Sequence, residues 1–178
     1  MNISEKIIKK TLVYEGKFIN VENIEVILPN NNKATRDIIR HPGACAIMAI
    51  DSENNIIIEK QFRTALDEIL LEIPAGKIDK GESPLECAKR ELKEETGYVS
   101  DNFTFLTKIA LAPGYSSEEI YLYLAKDIRY TKINLDDDEF LSVEKLSLKK
   151  AKEMVLSGKI KNSIAVIGIL MVSDMFKK

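Results

Sequence analysis

The segment from Gly76 to Tyr98, GKIDKGESPLECAKRELKEETGY, sets Glu82, Arg90, Glu91, Glu94 and Glu95 on or just before one predicted helix. The ends of that helix are written locally. Ser83 and Glu86 form a capping box, and Pro84 takes the first helical position, where a missing N–H costs nothing. Gly97 supplies the residue that closes a helix in the left-handed conformation. Leu85, Ala88 and Leu92 recur at helical spacing and are expected to face the core. Glu91 and Glu95 are four apart and Glu94 is three from Glu91, so these carboxylates project from one neighbouring face. Like charges this close repel one another unless they hold a cation. Only Lys93 and Arg90 offset them there, and the helix follows an apolar turn, Ile73-Pro74-Ala75-Gly76, rather than a polar linker. A solvated charged face, the usual reading of a Glu/Lys-rich helix, is therefore disfavoured. Hard oxygen ligands suit Mg²⁺ or Mn²⁺, which bind few protein carboxylates and keep positions open for substrate phosphates.

The same residues resemble the Nudix box, Gly-x5-Glu-x7-Arg-Glu-U-x-Glu-Glu-x-Gly-U, with U a bulky apolar residue. Gly76, Glu82, Arg90, Glu91, Leu92, Glu94, Glu95 and Gly97 fall in register, and Tyr98 in the last apolar slot is the one departure. So many fixed residues at fixed spacing form a specific signature. The resemblance implies a Nudix α/β/α sandwich with a mixed sheet, preceded by a small N-terminal antiparallel β element. It also implies hydrolysis of a nucleoside diphosphate linked to another moiety, with metals held by the helix glutamates.

Further resemblance narrows the substrate. His41 to Ile50 (HPGACAIMAI), Gln61-Phe62-Arg63, Leu71 to Gly76 and Pro113-Gly114-Tyr115-Ser116-Ser117-Glu118 look like the ADP-ribose pyrophosphatase branch. Tyr115 also suits the diadenosine polyphosphate branch, although an aromatic after Pro-Gly is equally normal for ADP-ribose enzymes. By this resemblance Glu91 and Glu95 are the leading metal ligands, for Mg²⁺ with Mn²⁺ as substitute, joined by the Ala75 carbonyl and by Glu94. Glu82 orients Arg90 or a metal-bound water. The general base is sought in the acidic run Asp136-Asp137-Asp138-Glu139, with Glu139 first and Asp137 the alternative; the plain reading of such a run is a solvated loop. Arg36 and Arg63 are candidate clamps for the phosphates or terminal ribose. Phe18 is a candidate for stacking on the base, against the plainer role of a core aromatic. Pro113 and Glu118 complete the substrate-binding candidates.

Composition agrees with a compact enzyme. The chain has 178 residues, 45% hydrophobic and 30% charged, which are ordinary globular values. Its net charge of −2 gives no electrostatic ground for binding nucleic acid or an anionic membrane. Cys45 and Cys87 lack metal-ligand spacing and read as buried, reduced thiols of a cytoplasmic protein. Met1 to Lys10 lacks the apolar stretch of a signal peptide, and the longest apolar run, about Ile164 to Val172, is too short to span a bilayer. The lone His41, beside Pro42-Gly43, reads as a turn residue, and Cys87 as packing.

Strands are expected at Thr11–Tyr14, Lys17–Ile27 and Ala34–Ile39, and a hairpin at Ala44–Asp51 and Asn55–Gln61 around Ser52-Glu53-Asn54. Further strands are expected near Phe103–Leu111, Ile120–Ala125 and Leu141–Leu146. A helix should run from Ser147 to Gly158, and Asn162 should cap a last one. The division expected is an N-terminal β element, residues 1–40, and a Nudix domain, 41–178. The first is too small to bury its own apolar faces. In the ADP-ribose pyrophosphatases that the chain resembles, such a segment packs across a two-fold axis, so the resemblance implies a homodimer, with Arg36 and Phe18 serving the neighbouring subunit. Two other readings stand beside ADP-ribose hydrolysis: another Nudix hydrolase of a sugar nucleotide or dinucleoside polyphosphate, and a non-catalytic module sensing ADP-ribose. The last is disfavoured because it has no need of the full carboxylate set.

Overall fold

The computed structural model describes residues 2–17, 19–135 and 140–176, so Phe18, Asp137 and Glu139 lie outside the described residues. In chain order the elements are β1 (Lys6–Glu15), β2 (Asn20–Ile27), β3 (Lys33–Arg40), β4 (Ala44–Ala49), β5 (Asn55–Arg63), β6 (Glu68–Glu72) and β7 (Ala75–Lys77). Then follow α1 (Pro84–Thr96), β8 (Tyr98–Val99), β9 (Asn102–Ala110), β10 (Glu119–Lys126), β11 (Arg129–Tyr130), β12 (Leu141–Ser147), α2 (Leu148–Leu156) and α3 (Ser163–Met175). They form two compact units: Met1–Gly43 with Ala110–Ile120, and Ala44–Ile109 with Tyr121–Lys178.

The first unit is built on the antiparallel sheet β1-β2-β3. Alternation along β2 buries Ile24 and Val26, whereas every residue of β1 is exposed. β1 breaks register with β2 at Ile7/Lys9 and at Leu12/Tyr14. Residues 112–117 join this unit by backbone bonds to β3: Ile39 donates to the Tyr115 carbonyl and Ser117 donates to the Ile39 carbonyl.

The second unit carries two main sheets, β7-β4-β10-β9 and β12-β5-β6, and the short pair β11-β8. β4 is buried along its whole length, as a strand covered on both faces must be. Cys45, Ile47 and Ala49 pack with Cys87, Ala88 and Leu92 of α1. Met48 points the other way, meeting α3 so closely that a Cβ on Gly168 would stand 2.8 Å from its Cγ. Helix, sheet and helix thus form layers within this unit, the mixed α/β arrangement expected. No helix among the described residues is long and apolar enough to cross a membrane.

Three local readings need correction. The expected hairpin parts after one antiparallel bridge, Ile50 to Ile56, and its strands enter different sheets. Both strands have long apolar runs because each is central in its own sheet, which alternation alone cannot reveal. Ala75 and Gly76 of the supposed apolar turn belong to strand β7, which pairs with β4. Leu85 is exposed, and its expected place against the core is taken by Cys87.

Candidate active site

Helix α1 begins as its sequence dictates. The Ser83 hydroxyl accepts from the Glu86 N–H, the Glu86 carboxylate accepts from the Ser83 N–H, and Gly97 closes the helix at φ 72°. Its buried stripe is Cys87, Ala88, Glu91, Leu92, Glu95 and Thr96, so two carboxylates belong to the inner face rather than the neighbouring one. Burying charge is costly unless it is paired. Here Arg90 and the backbone of β7 supply much of the compensation.

Arg90 is the hub. Its Nε and Nη2 each lie 2.9 Å from a Glu82 oxygen, its Nη1 lies 2.7 Å from Glu91 Oε1 and 3.1 Å from Glu94 Oε2, and Nη2 also donates to the Lys77 carbonyl. The guanidinium holds the Glu82 carboxyl down at about 2 and is itself pushed above its usual range, chiefly by Glu82. Glu82 thus meets the expectation that it orients Arg90. Glu94 is more exposed than Glu82 or Glu91.

Glu95 Oε2 accepts from the Ala75 N–H at 2.9 Å, which ties the last turn of α1 to β7. Glu91 lies against Gly76, whose missing side chain makes room for it: a Cβ there would stand 1.9 Å from Glu91 Oε1. Ala75, Gly76, Glu91 and Glu95 therefore meet where β7 passes α1. No group of three or more acidic, histidine or cysteine side chains close enough to hold a metal ion stands among the described residues. The donors present, two buried carboxylates one turn apart beside strand β7, nonetheless fit a hard divalent cation. Such a cation takes few protein oxygens and completes its shell with water and phosphate.

Arg63, at the end of β5, binds the buried carboxylate of Glu72 on β6 through Nε at 2.9 Å and Nη2 at 2.6 Å. Sequence reasoning missed Glu72. Its signal was a single acidic residue inside the apolar run Leu70-Leu71-Glu72-Ile73. Glu59 and Glu72 are directly opposed in the β5–β6 register, and both are buried.

The remaining candidates belong to the first unit. Arg36, on β3, bonds the Glu5 carboxylate and its neighbour's carbonyl at Thr35. Pro113 opens the turn in which Tyr115 and Ser116 donate to the Ala112 carbonyl. Glu118 lies 3.9 Å from His41 Nδ1, so the lone histidine has an acidic neighbour that the sequence did not reveal.

Residues 39–163 match the NUDIX domain family. The chain belongs to the Nudix family. Over 167 residues it is 40% identical to the methanol dehydrogenase activator of Bacillus methanolicus, a match covering 93% of this chain and 90% of that protein. Over 158 residues it is 40% identical to the ADP-ribose pyrophosphatase of Bacillus subtilis (strain 168), covering 88% and 85%. A crystal structure of ADP compounds hydrolase is similar with a TM-score of 0.86 at 23% identity, across 98% of this chain and 96% of that one. That structural likeness establishes the Nudix fold. As a Nudix hydrolase, the chain has signature residues Glu91, Glu94 and Glu95 on α1, Glu82 just before it, Gly97 at its end and Gly76 on β7.

Proposed function

We propose that this Nudix hydrolase cleaves the pyrophosphate of ADP-ribose to AMP and ribose 5-phosphate, using Mg²⁺ with Mn²⁺ as a substitute. The observation that carries this reading is the 40% identity to an ADP-ribose pyrophosphatase along 88% of the chain, with every box carboxylate kept. A divalent cation held by Glu91, Glu95, the Ala75 carbonyl and Glu94 would neutralise the phosphate oxygens and lower the pKa of a bound water. Arg90 keeps Glu82, Glu91 and Glu94 fixed around that place. Arg63 presents cationic N–H groups to a phosphate or ribose, and Arg36, Phe18, Pro113 and Glu118 are assigned to the rest of the substrate. In a panel of nucleoside diphosphate derivatives with Mg²⁺, ADP-ribose should give the highest kcat/KM, read as phosphate released after phosphatase coupling. Preference for a sugar nucleotide or dinucleoside polyphosphate would replace it. The equal identity to a methanol dehydrogenase activator favours a second reading, in which the same site serves a partner enzyme. Rapid turnover of free ADP-ribose by the chain alone argues against any need for that partner.

Glu139, with Asp137 in reserve, is proposed as the general base. The residues before and after the acidic run support it: Asn134 donates to the Glu94 carbonyl at the end of α1, and Leu141 pairs with Gln61 on β5. Glu139→Gln should lower kcat far more than it weakens substrate binding, and an effect confined to Asp137→Asn would move the role there.

We assign dimerisation to residues 1–40. Support comes from β1, an outer strand that exposes Ile7, Ile8, Leu12, Val13 and Tyr14. An outer strand leaves backbone N–H and C=O groups that another chain can pair with. Mixing Arg36→Ala with Glu95→Gln subunits should restore some activity, because one site of the mixed dimer escapes both lesions. A fully active monomer in light scattering would refute it. The two buried, unpaired thiols favour a reducing compartment, the cytoplasm.

A further inference from the structure

We infer that Glu72 is a positioning residue for the reaction, setting the plane and reach of the Arg63 guanidinium. The inference rests on the role proposed above for Arg63 as a substrate clamp. Glu59, Gln61 and Arg63 alternate onto one face of β5, and Glu72 lies directly across from Glu59. Two carboxylates directly opposed on one face repel, and burial of both worsens the repulsion. A cation must sit beside them, and Arg63 supplies it.

Geometry makes Arg63 more than a neutraliser. Nε and Nη2 are both taken by the two oxygens of Glu72, a side-on fork that fixes the guanidinium plane. Among the described residues Nη1 has no hydrogen-bond partner, and 44% of the side chain is exposed, so the guanidinium keeps N–H groups for an incoming anion. Glu72 itself is buried, at 5% exposure, and cannot follow a wandering arginine. The guanidinium also lies in the field of Glu95 and of Glu59. Its anchor is thus the β6 carboxylate, and the charge of the α1 carboxylate assigned to the metal acts on it as well. A phosphate oxygen bridging the metal and an arginine needs both partners held in advance, since an arginine free to rotate loses entropy on binding.

A purely structural Glu72 would change stability and leave kinetics alone. A positioning Glu72 acts only through Arg63. Glu72→Gln keeps the side-chain volume and one acceptor while breaking the charged fork. It should raise KM for ADP-ribose ~10- to 100-fold, the usual scale for losing a charge-assisted hydrogen-bond pair, with a much smaller change in kcat. In an Arg63→Ala background the same change should add nothing, because the group it positions is gone. Additive losses in the double variant would overturn the inference, as would an unchanged KM in Glu72→Gln beside a raised KM in Arg63→Ala. An Arg63→Ala enzyme with wild-type KM would overturn it too, by removing the clamp, while wild-type hydrolysis of ADP-ribose would still stand. Should Glu72→Gln fail to fold, Arg63→Lys carries the test. Lysine keeps the charge but cannot make the fork, so KM should rise as in Arg63→Ala, and a wild-type KM would overturn the inference.

Discussion

Glu95→Gln should lower the turnover of ADP-ribose by ~10²-fold or more, a loss of roughly 3 kcal/mol of transition-state stabilisation. Glu95 is 4% exposed, and its Oε2 receives the Ala75 N–H at 2.9 Å. Glutamine has the same shape and keeps a carbonyl oxygen for that N–H, so β7 and the last turn of α1 should stay joined. What disappears is one unit of negative charge beside the place where the pyrophosphate must be neutralised. The thermal midpoint should therefore change little, because removing the buried charge also removes its desolvation cost. Mg²⁺ should be required at higher concentration, and saturating it should not restore the wild-type rate. Near-normal turnover by Glu95→Gln at saturating Mg²⁺ would remove Glu95 from the metal site.

The parts of the fold that were legible in the sequence are those fixed by neighbours in the chain. Ser83, Pro84, Glu86 and Gly97 bound α1 as expected, because a cap is made within a turn or two of its own residue. Ser147 and Asn162 likewise cap α2 and α3. Strand partners were not legible. The runs at 44–51 and 55–61 look like the arms of a hairpin, yet they separate because each is wanted by other strands far away in the chain. The parallel bridge of Ile39 to Ser116 has the same cause. In the site, the spacing of Glu91 and Glu95 was visible, but their burial was not. Helical spacing gives the angle between side chains, and only packing decides which arc faces inward. Leu85 shows this: its spacing to Ala88 and Leu92 is right, but it lies on the outer edge of the stripe that β4 covers. Glu72 was overlooked because a single carboxylate in a strand has no motif, and its meaning appears only when Arg63 is seen across the β5–β6 pair.

Gly76→Ala should be nearly as damaging to catalysis as loss of a metal ligand, although it adds one methyl group and alters no charge. The Cβ would stand 1.9 Å from Glu91 Oε1, 2.0 Å from its Cδ and 2.4 Å from Oε2. Something must move, and the easiest thing to move is the end of a flexible side chain rather than the paired backbone of β7. The Glu91 carboxylate would swing away, breaking its 2.7 Å contact with Arg90 Nη1 and leaving the place where the cation is proposed to bind. Misplacing one catalytic group by about 1 Å is enough to cost ~10²-fold in rate. Folding should survive, with a circular dichroism spectrum like that of the wild type and a modest fall in thermal midpoint. The decisive measurement is a double-variant cycle, because it separates a displaced ligand from general damage. If the methyl acts by evicting the Glu91 carboxylate, then Gly76→Ala added to Glu91→Gln should cost little further in kcat, since the ligand is already lost. Full additivity, or a Gly76→Ala enzyme retaining most of its turnover, would mean that the contact of Gly76 with Glu91 is mere packing and that the carboxylate has room to work elsewhere.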